Sequence, residues 1–259
     1  MNSAVSRRLA PAELLAGSAS LFKESAAQAA AVLAWGLIPG AVLAAASFVA
    51  TGILSREALN EAIRNGQGWL AAPLLVAGLV KRLLATLAFL ALVFAVEARH
   101  AGHPLTTREA YGLAVRRFPA FLATAAQAVL RIVGGLVLFV IPGLVLALRY
   151  TLAHLAVLLE DRRGKAALDR SSALVNAQPL RALGLLLAAT LAALALNFGC
   201  ALLVSVLTGA ARAVGAGVVG VVQGQFEALL AEFLESMVGA WLVCFSVLLY
   251  RDLTASVDG

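Results

Sequence analysis

The stretch from Ile141 to Val175 is IPGLVLALRYTLAHLAVLLEDRRGKAALDRSSALV. A Pro-Gly pair opens it, an apolar run follows, and acidic residues then give way to basic ones. The apolar run at 143–159 is just long enough to cross a bilayer, which takes about 20 apolar residues with a range of about 17–25. The basic segment after it is typical of a cytoplasmic loop, because such loops are enriched in Lys and Arg. This stretch therefore predicts a membrane protein and indicates its cytoplasmic side.

The composition of the whole chain agrees with a membrane environment. Hydrophobic residues make up 62% of the 259 and charged residues 13%, against about 45–50% and about 25% in soluble domains. Rich in Ala, Leu and Val, the apolar runs lack the alternation of a lipid-facing barrel strand, so they predict helices. We expect an all-α polytopic protein of the cytoplasmic (inner) membrane. Its six transmembrane helices correspond to the runs 26–50, 69–97, 119–141, 143–159, 182–207 and 226–250.

The basic residues follow the topology rule for membrane proteins and do not form a nucleic-acid site. The net charge is +6, but the Lys and Arg residues are not clustered with aromatic residues that could stack on bases. Thirteen of the 20 fall in the tails and in the stretches 98–118 and 160–181, whereas the alternate connections, 51–68 and 208–225, carry three. Both termini are therefore predicted to be cytoplasmic.

The charged segments outside the apolar runs predict short amphipathic helices on the cytoplasmic surface. We expect them at 12–24, 106–118 and 162–177, and the second begins with a capping box, Thr106 to Glu109. For the first, a disordered tail is the alternative. The domain organisation that follows is a cytoplasmic tail with a surface helix at 1–25, one membrane domain at 26–250 and a tail at 251–259.

Two local features of the membrane domain need interpretation. Lys81 and Arg82 interrupt the second apolar run, so either 69–80 belongs to the span or it lies in the interface, which would leave only about 15 apolar residues for the crossing. Ile141-Pro142-Gly143 is expected to form the outer turn before a fourth helix from Leu144 to Leu159.

Several charged residues lie within the apolar runs, at similar depths from the outer ends. A lone charge at mid-membrane costs about 2.5–3.5 kcal/mol on insertion scales, so these residues must be paired or hydrated. One interpretation is an ion-pair network that fixes helix packing; the other is a polar cavity open to the outer side that holds an anionic ligand or headgroup, or relays ions. The residues of this predicted charged layer are Lys81, Arg82, Arg131, Arg149, Glu227, Glu232 and Glu235.

The opening stretch also resembles a family signature. A Pro-Gly pair, a basic-aromatic pair, a glutamate and a Gly…Ala-Leu.Arg-Ser motif are similar to those of bacterial and archaeal membrane proteins grouped with the membrane domain of some glycerophosphodiester phosphodiesterases. Most members of this family are uncharacterised, and the resemblance implies the six-helix architecture without the hydrolase activity. The matching residues are Pro142, Gly143, Glu160, Gly164, Leu168, Arg170 and Ser171.

No catalytic pattern is evident in the chain. None of the three His residues has Cys, Asp or Glu at metal-ligand spacing, so we expect no catalytic residues, no metal and no cofactor. The favoured hypothesis is a non-catalytic scaffold or accessory protein whose basic surface helices meet anionic lipids, a protein partner or a second copy of the chain. The alternative is a small transporter or lipid-handling protein that uses the charged layer.

Overall fold

A computed structural model describes residues 10–53, 64–65, 72–212 and 218–258. The described residues contain helices and no strand, which confirms the all-α prediction for this part of the chain. The helices are α1 (Pro11–Ile53), α2 (Ala72–His100), α3 (Thr107–Leu138), α4 (Val140–Tyr150), α5 (Ala153–Leu159), α6 (Lys165–Ala177), α7 (Pro179–Arg212) and α8 (Val218–Asp258).

The first helix begins well before the first apolar run. α1 has 43 residues, about 65 Å at the α-helical rise, which is about twice the thickness of a bilayer's hydrocarbon core. Leu14, Ser18, Leu21, Ser25 and Ala29 are buried at spacings of three or four residues, so they lie on one side of the helix. The segment 12–24 therefore does not form the separate surface helix that we predicted, because its apolar side packs inside the bundle.

The second surface helix is likewise part of a longer one. The capping box at Thr106 is confirmed, since its hydroxyl accepts from the Glu109 N–H at 3.3 Å and the Glu109 carboxylate accepts from the Thr106 N–H at 2.8 Å. From there α3 continues through Pro119 to Leu138. The prediction of a separate helix at 106–118 was wrong, because Ala110 and Ala114 are buried against neighbouring helices.

The chain reverses between α3 and α4 earlier than the Pro-Gly pair suggested. Phe139 is the single extended residue at the corner, with φ −157° and ψ 144°. Pro142 lies in the first turn of α4, where the missing N–H of a proline costs little because those N–H groups have no intrahelical partner. The fourth span also contains an interruption at Thr151 and Leu152, so its apolar run forms α4 and α5 rather than one helix.

Two glycines allow α3 and α4 to lie against each other. A Cβ on Gly135 would come within 3.0 Å of the Gly143 Cα, and a Cβ on Gly143 would lie 2.7 Å from the backbone nitrogen of Leu136. The hairpin is therefore closed by direct backbone contact, as small residues allow in membrane helix pairs.

The third predicted segment, 162–177, forms a separate helix, α6, which starts three residues later than predicted. Ala167, Leu168, Ser171, Leu174 and Val175 form the buried side of α6. Among the polar residues of α6, Lys165, Asp169 and Asn176 are exposed, while the Arg170 side chain is only 13% exposed. Arg170 therefore belongs to the interior, where the next subsection describes its partners.

The tightly packed part of the bundle lies toward one end. α1, α2 and α8 pack on one another, α3 packs on α2, α7 packs on α8, and α6 contacts α4, α5, α7 and α8. Ion pairs join Arg251 to Glu97, Arg117 to Asp161 and Arg181 to Asp252. We call this end, where α2, α5 and α8 finish and α3 and α7 begin, the basic end.

The outer surfaces of α3, α4 and α7 are apolar. Leu130, Val137, Ile141 and Leu180 are each at least 75% exposed, as expected for side chains that face lipid. Five segments in the described part are long and apolar enough to cross a membrane: 75–100, 107–138, 140–159, 179–206 and 230–257. The sixth predicted span, 26–50, is helical as part of α1, but its side chains from residue 35 onward lie outside the described part.

Closure of the α3–α4 hairpin yields a direct prediction for Gly143→Ala. The added methyl group would overlap Leu136, so we expect a loss of about 1–3 kcal/mol in unfolding free energy in detergent micelles, as for other overpacked sites. Gly134→Ala is the control, because no atom lies within 4 Å of its Cβ position. Equal stabilities for the two variants would contradict the close helix contact.

Candidate functional site

The structure brings part of the predicted charged layer together between α2 and α8. The Lys81 Nζ lies 2.9 Å from the Glu232 carboxylate, and both side chains are about one-third exposed. Arg82 and Glu235 line the same open groove, which has a volume of about 700 Å³. Its small residues, Gly78, Ala85 and Ala231, leave the space between the two helices.

The remaining charged-layer residues have other surroundings. The Arg131 guanidinium carbon lies 6.0 Å from the centre of the Tyr150 ring, within the range of a cation–π interaction. Arg149 is half-buried on α4, and Glu227 is 8% exposed on α8. Lys81 and Glu232 form an ion pair between two members of the layer. The single network that the common depths suggested stays a prediction.

Two residues of the signature-like set, Glu160 and Arg170, contact each other at the basic end. The Tyr250 hydroxyl donates to Glu160 Oε1 at 2.5 Å, and the Arg170 Nε donates to the same oxygen at 3.1 Å. The Arg162 Nε donates to Oε2 at 2.6 Å. One carboxylate at the end of α5 thus binds groups from the loop that follows α5, from α6 and from α8.

Charge-assisted hydrogen bonds also set the protonation of this carboxylate. Burial raises the pKa of Glu160, but the hydrogen bonds from Tyr250, Arg162 and Arg170 outweigh that effect and leave the pKa below its ordinary value. Glu160 is therefore an anion at neutral pH, with donors on both of its oxygens.

Two further signature residues fix the loop between α5 and α6. Gly164 has a φ of +54°, which glycine adopts without steric cost, and its N–H donates to the Thr124 hydroxyl at 2.9 Å. The Ser171 hydroxyl donates to the backbone carbonyl of Arg149 at 2.6 Å. These contacts hold the loop and α6 against α3 and α4, so the Glu160 side chain is held from several directions.

A cavity of about 520 Å³ lies beside Glu160. Its wall combines charged side chains with an apolar part formed by Phe94, Leu158 and Leu159. The lining residues are Phe94, Glu97, Leu158, Leu159, Glu160, Arg162, Arg170, Tyr250, Arg251 and Thr254.

Sequence reasoning did not place Glu97, Arg162, Tyr250 and Arg251 in one site. The available signal was their position, because Glu97 and Tyr250 each stand where an apolar run ends, as Glu160 does. In the sequence, the acids Glu160 and Asp161 next to Arg162 and Arg163 are typical of a helix start. The structure shows these local pairs at 2.6 and 3.4 Å, but the helix begins only at Lys165.

In the described parts of the chain, no group of three or more His, Cys, Asp and Glu side chains is placed to hold a metal ion. No family model, curated protein or solved structure matches the chain. The resemblance to the membrane family therefore stays a prediction, and the arguments below rest on the geometry of this molecule.

The Lys81–Glu232 pair predicts that Glu232 contributes more to the stability of the protein than its neighbour Glu235 does. Glu232→Gln leaves the Lys81 ammonium without its carboxylate, and we expect a loss of about 1–3 kcal/mol in unfolding free energy in a bilayer or bilayer-like micelle. Glu235→Gln is the matched control, one helical turn away in the same groove. A loss with Glu235→Gln as large as that with Glu232→Gln would show that the pair has no special role.

The hydrogen bonds on Glu160 predict a pH dependence of stability. Because the pKa is lowered in the folded protein, the stabilisation is complete above the ordinary value of about 4.5 and is lost as the pH falls through the folded pKa. We expect thermal stability in micelles to fall below about pH 4.5 in the wild type. Glu160→Gln should be less stable at pH 7 and lose less on acidification, whereas parallel pH profiles would contradict the assignment.

Proposed function

We propose that this chain is a non-catalytic accessory or scaffold protein of the cytoplasmic membrane whose basic end binds anionic phospholipid. It crosses the membrane six times, with α1 as the additional span, and both termini are cytoplasmic. The observation that carries the proposal is the concentration of exposed positive charge at the basic end.

Among the residues whose exposure the structure describes, exposed basic side chains outnumber exposed acidic ones at this end by eight to four. The acids are Glu24, Glu109, Asp161 and Asp169, and several other carboxylates at this end are held in ion pairs. The basic residues are Lys23, Arg99, Arg108, Arg116, Arg162, Arg163, Lys165 and Arg251. Each Lys or Arg near an anionic membrane surface contributes about 1 kcal/mol of attraction.

The lengths of the helices support the placement of this charge near lipid headgroups. α1 and α8 have 43 and 41 residues, so both are about twice as long as the hydrocarbon core is thick. The N-terminal part of α1 packs beside the C-terminal part of α8, since a Cβ on Gly17 would lie 3.6 Å from the Leu248 side chain and the Ser25 hydroxyl lies 3.8 Å from the Cys244 sulfur. The ends of these helices therefore form a polar region at the headgroup layer and beyond it. In this arrangement the helices extend out of the membrane and do not lie flat on its surface.

The charge distribution along the chain supports the proposed orientation. Thirteen of the 20 Lys and Arg residues fall in the segments assigned to the cytoplasmic side. The resemblance to the membrane family supports the same six-span architecture, and it suggests no catalytic residue.

The groove between α2 and α8 favours a second candidate, a small transporter or lipid-handling protein. Lys81, Arg82, Glu232 and Glu235 line about 700 Å³ of open space. Charged residues within membrane segments commonly mark ligand or ion pathways. Under this alternative the groove is filled with water, whereas a purely structural ion pair needs no such access.

The lipid proposal predicts the effect of removing exposed charge. One variant combines four substitutions: Arg108→Gln, Arg116→Gln, Arg163→Gln and Lys165→Gln. In this variant the preference for phosphatidylglycerol over phosphatidylcholine should fall by about tenfold or more. The measurement is the relative retention of the two lipids on purified protein by native mass spectrometry. Arg64→Gln, an exposed arginine outside the basic end, is the control. An unchanged preference in the combined variant would overturn the proposal.

Thiol labelling tests the orientation and the second candidate together. The background replaces the two free cysteines, Cys200 and Cys244, with Ala. In inverted vesicles, a membrane-impermeant thiol reagent should label Arg108→Cys and leave Arg64→Cys unlabelled, and in intact cells the pattern should reverse. The opposite pattern would contradict the orientation.

The same background distinguishes a wet groove from a dry one at Ala85, which lines it. Rapid labelling of Ala85→Cys would support the second candidate, because the reagent reacts only where water admits it. Leu203, exposed on α7 and expected to face lipid, gives the unreactive reference as Leu203→Cys. Equal, negligible labelling at both positions would exclude the wet groove.

A further inference from the structure

We infer that the cavity beside Glu160 is a discrete binding site for the phosphate group of a phospholipid, taken from the leaflet at the basic end. This deepens the proposed function and rests on it, because the headgroup reaches the cavity only if this end lies at that leaflet. The inference differs from general attraction to a charged surface in assigning the phosphate to particular side chains.

The cavity lies at the depth in the membrane at which the apolar runs end. Glu97, Glu160 and Arg251 line the cavity, and each lies where an apolar run of the sequence gives way to charged residues. Three separate segments therefore change from apolar to charged at the level of this one cavity. That is the level at which the phosphate groups of a bilayer lie, immediately outside the hydrocarbon core.

The charges of the cavity wall suit a phosphate diester. Arg162, Arg170 and Arg251 line the cavity together with two carboxylates, Glu97 and Glu160. The wall therefore carries one net positive charge, which matches the single negative charge of a phosphate diester. Arginine is well suited to this role, because its planar guanidinium presents several N–H donors to phosphate oxygens.

Two of the arginines that line the cavity, Arg162 and Arg251, keep N–H donors that their carboxylate partners do not use. The Arg162 side chain is 47% exposed and that of Arg251 is 53% exposed. Arg162 uses its Nε to bind Glu160, and Arg251 uses one terminal nitrogen to bind Glu97. A guanidinium has five N–H donors, so both side chains retain donors for a phosphate without leaving their carboxylates.

The apolar part of the cavity wall suits a lipid better than a free ion. Phe94 and Leu158 form an apolar part of the cavity wall and are themselves buried. A free ion would leave this part of the wall without a partner, whereas the glycerol and first acyl carbons of a lipid would cover it. The volume of about 520 Å³ is large enough for a phosphate with its adjoining ester groups.

Adjacent arginines provide a matched pair for the experiment. Arg162 lines the cavity, while Arg163 is 70% exposed and faces Asp161. Arg162→Gln and Arg163→Gln remove the same charge from neighbouring positions. Binding of phosphatidylglycerol by the full chain in micelles is titrated by native mass spectrometry, with phosphatidylcholine as the second lipid and inorganic phosphate as a competitor.

We expect Arg162→Gln to raise the apparent Kd for phosphatidylglycerol by about tenfold and Arg163→Gln to change it by about twofold or less. Arg251→Gln should resemble Arg162→Gln. Competition by millimolar inorganic phosphate would show that the site also accepts the free ion. Its absence, together with the tenfold loss, would show that the site requires the lipid.

Two results would overturn the site. If Arg162→Gln and Arg163→Gln weaken binding equally, only the charge of the basic end matters, and the proposed function survives without the cavity. If neither variant changes binding, and the four-residue variant described above also keeps its lipid preference, the proposed function fails as well. If Arg162→Gln is unstable, Arg162→Lys replaces it in the experiment, because lysine keeps the positive charge but lacks the planar guanidinium. Unchanged binding in a folded Arg162→Lys protein would likewise exclude phosphate recognition by the guanidinium.

Discussion

The arrangement of the basic end depends on the Glu160 carboxylate and its three donors. Its two oxygens bind groups from α6, from α8 and from the loop that follows α5. A carboxylate that is partly withdrawn from water is stable only when such donors replace its hydration. The contact therefore selects one relative position for the three segments, and loss of any donor would leave the others with a less satisfied charge.

Apolar packing around this network explains why a charged cluster can lie at the level where the apolar spans end. Val93 on α2, Leu158 on α5, Leu174 on α6 and Leu249 on α8 are at most 2% exposed and belong to one hydrophobic cluster. Farther from this end, the exposed surfaces of α3, α4 and α7 consist largely of Leu and Val, which need only lipid as a partner. The molecule thus combines a closely packed basic end with helices whose outer faces are suited to hydrocarbon.

Apolar run length was sufficient to predict an all-α chain with long apolar helices, and a residue pattern located the capping box at Thr106. Helix boundaries were less accessible. The charged segment 106–118 predicted a surface helix of its own, but α3 continues through Pro119, and Ala110 and Ala114 are buried in contacts that local sequence does not show. The corner at Phe139 depends on the contact between Gly135 and Gly143, a tertiary feature.

For the candidate site, the sequence indicated some of the residues that take part, but it did not indicate which of them contact one another. Common depth suggested that Arg131 belonged with the glutamates of α8, but depth leaves the direction around each helix undetermined, and Arg131 instead faces Tyr150. The signature residues Glu160 and Arg170 were named from a resemblance, and their contact with Tyr250 joins positions 90 residues apart. Such pairings follow from helix packing, which one sequence without coordinates does not determine.

The central claim is that Glu160 and Tyr250 hold α8 to the loop after α5, and a double-mutant cycle tests it most directly. Unfolding free energies in the same micelle are measured for the wild type, Glu160→Gln, Tyr250→Phe and the double variant. The account predicts a coupling energy of about 1–3 kcal/mol, as for other directly hydrogen-bonded pairs with a charged partner. Additive effects within about 0.5 kcal/mol would show that the two side chains do not interact and would contradict the account.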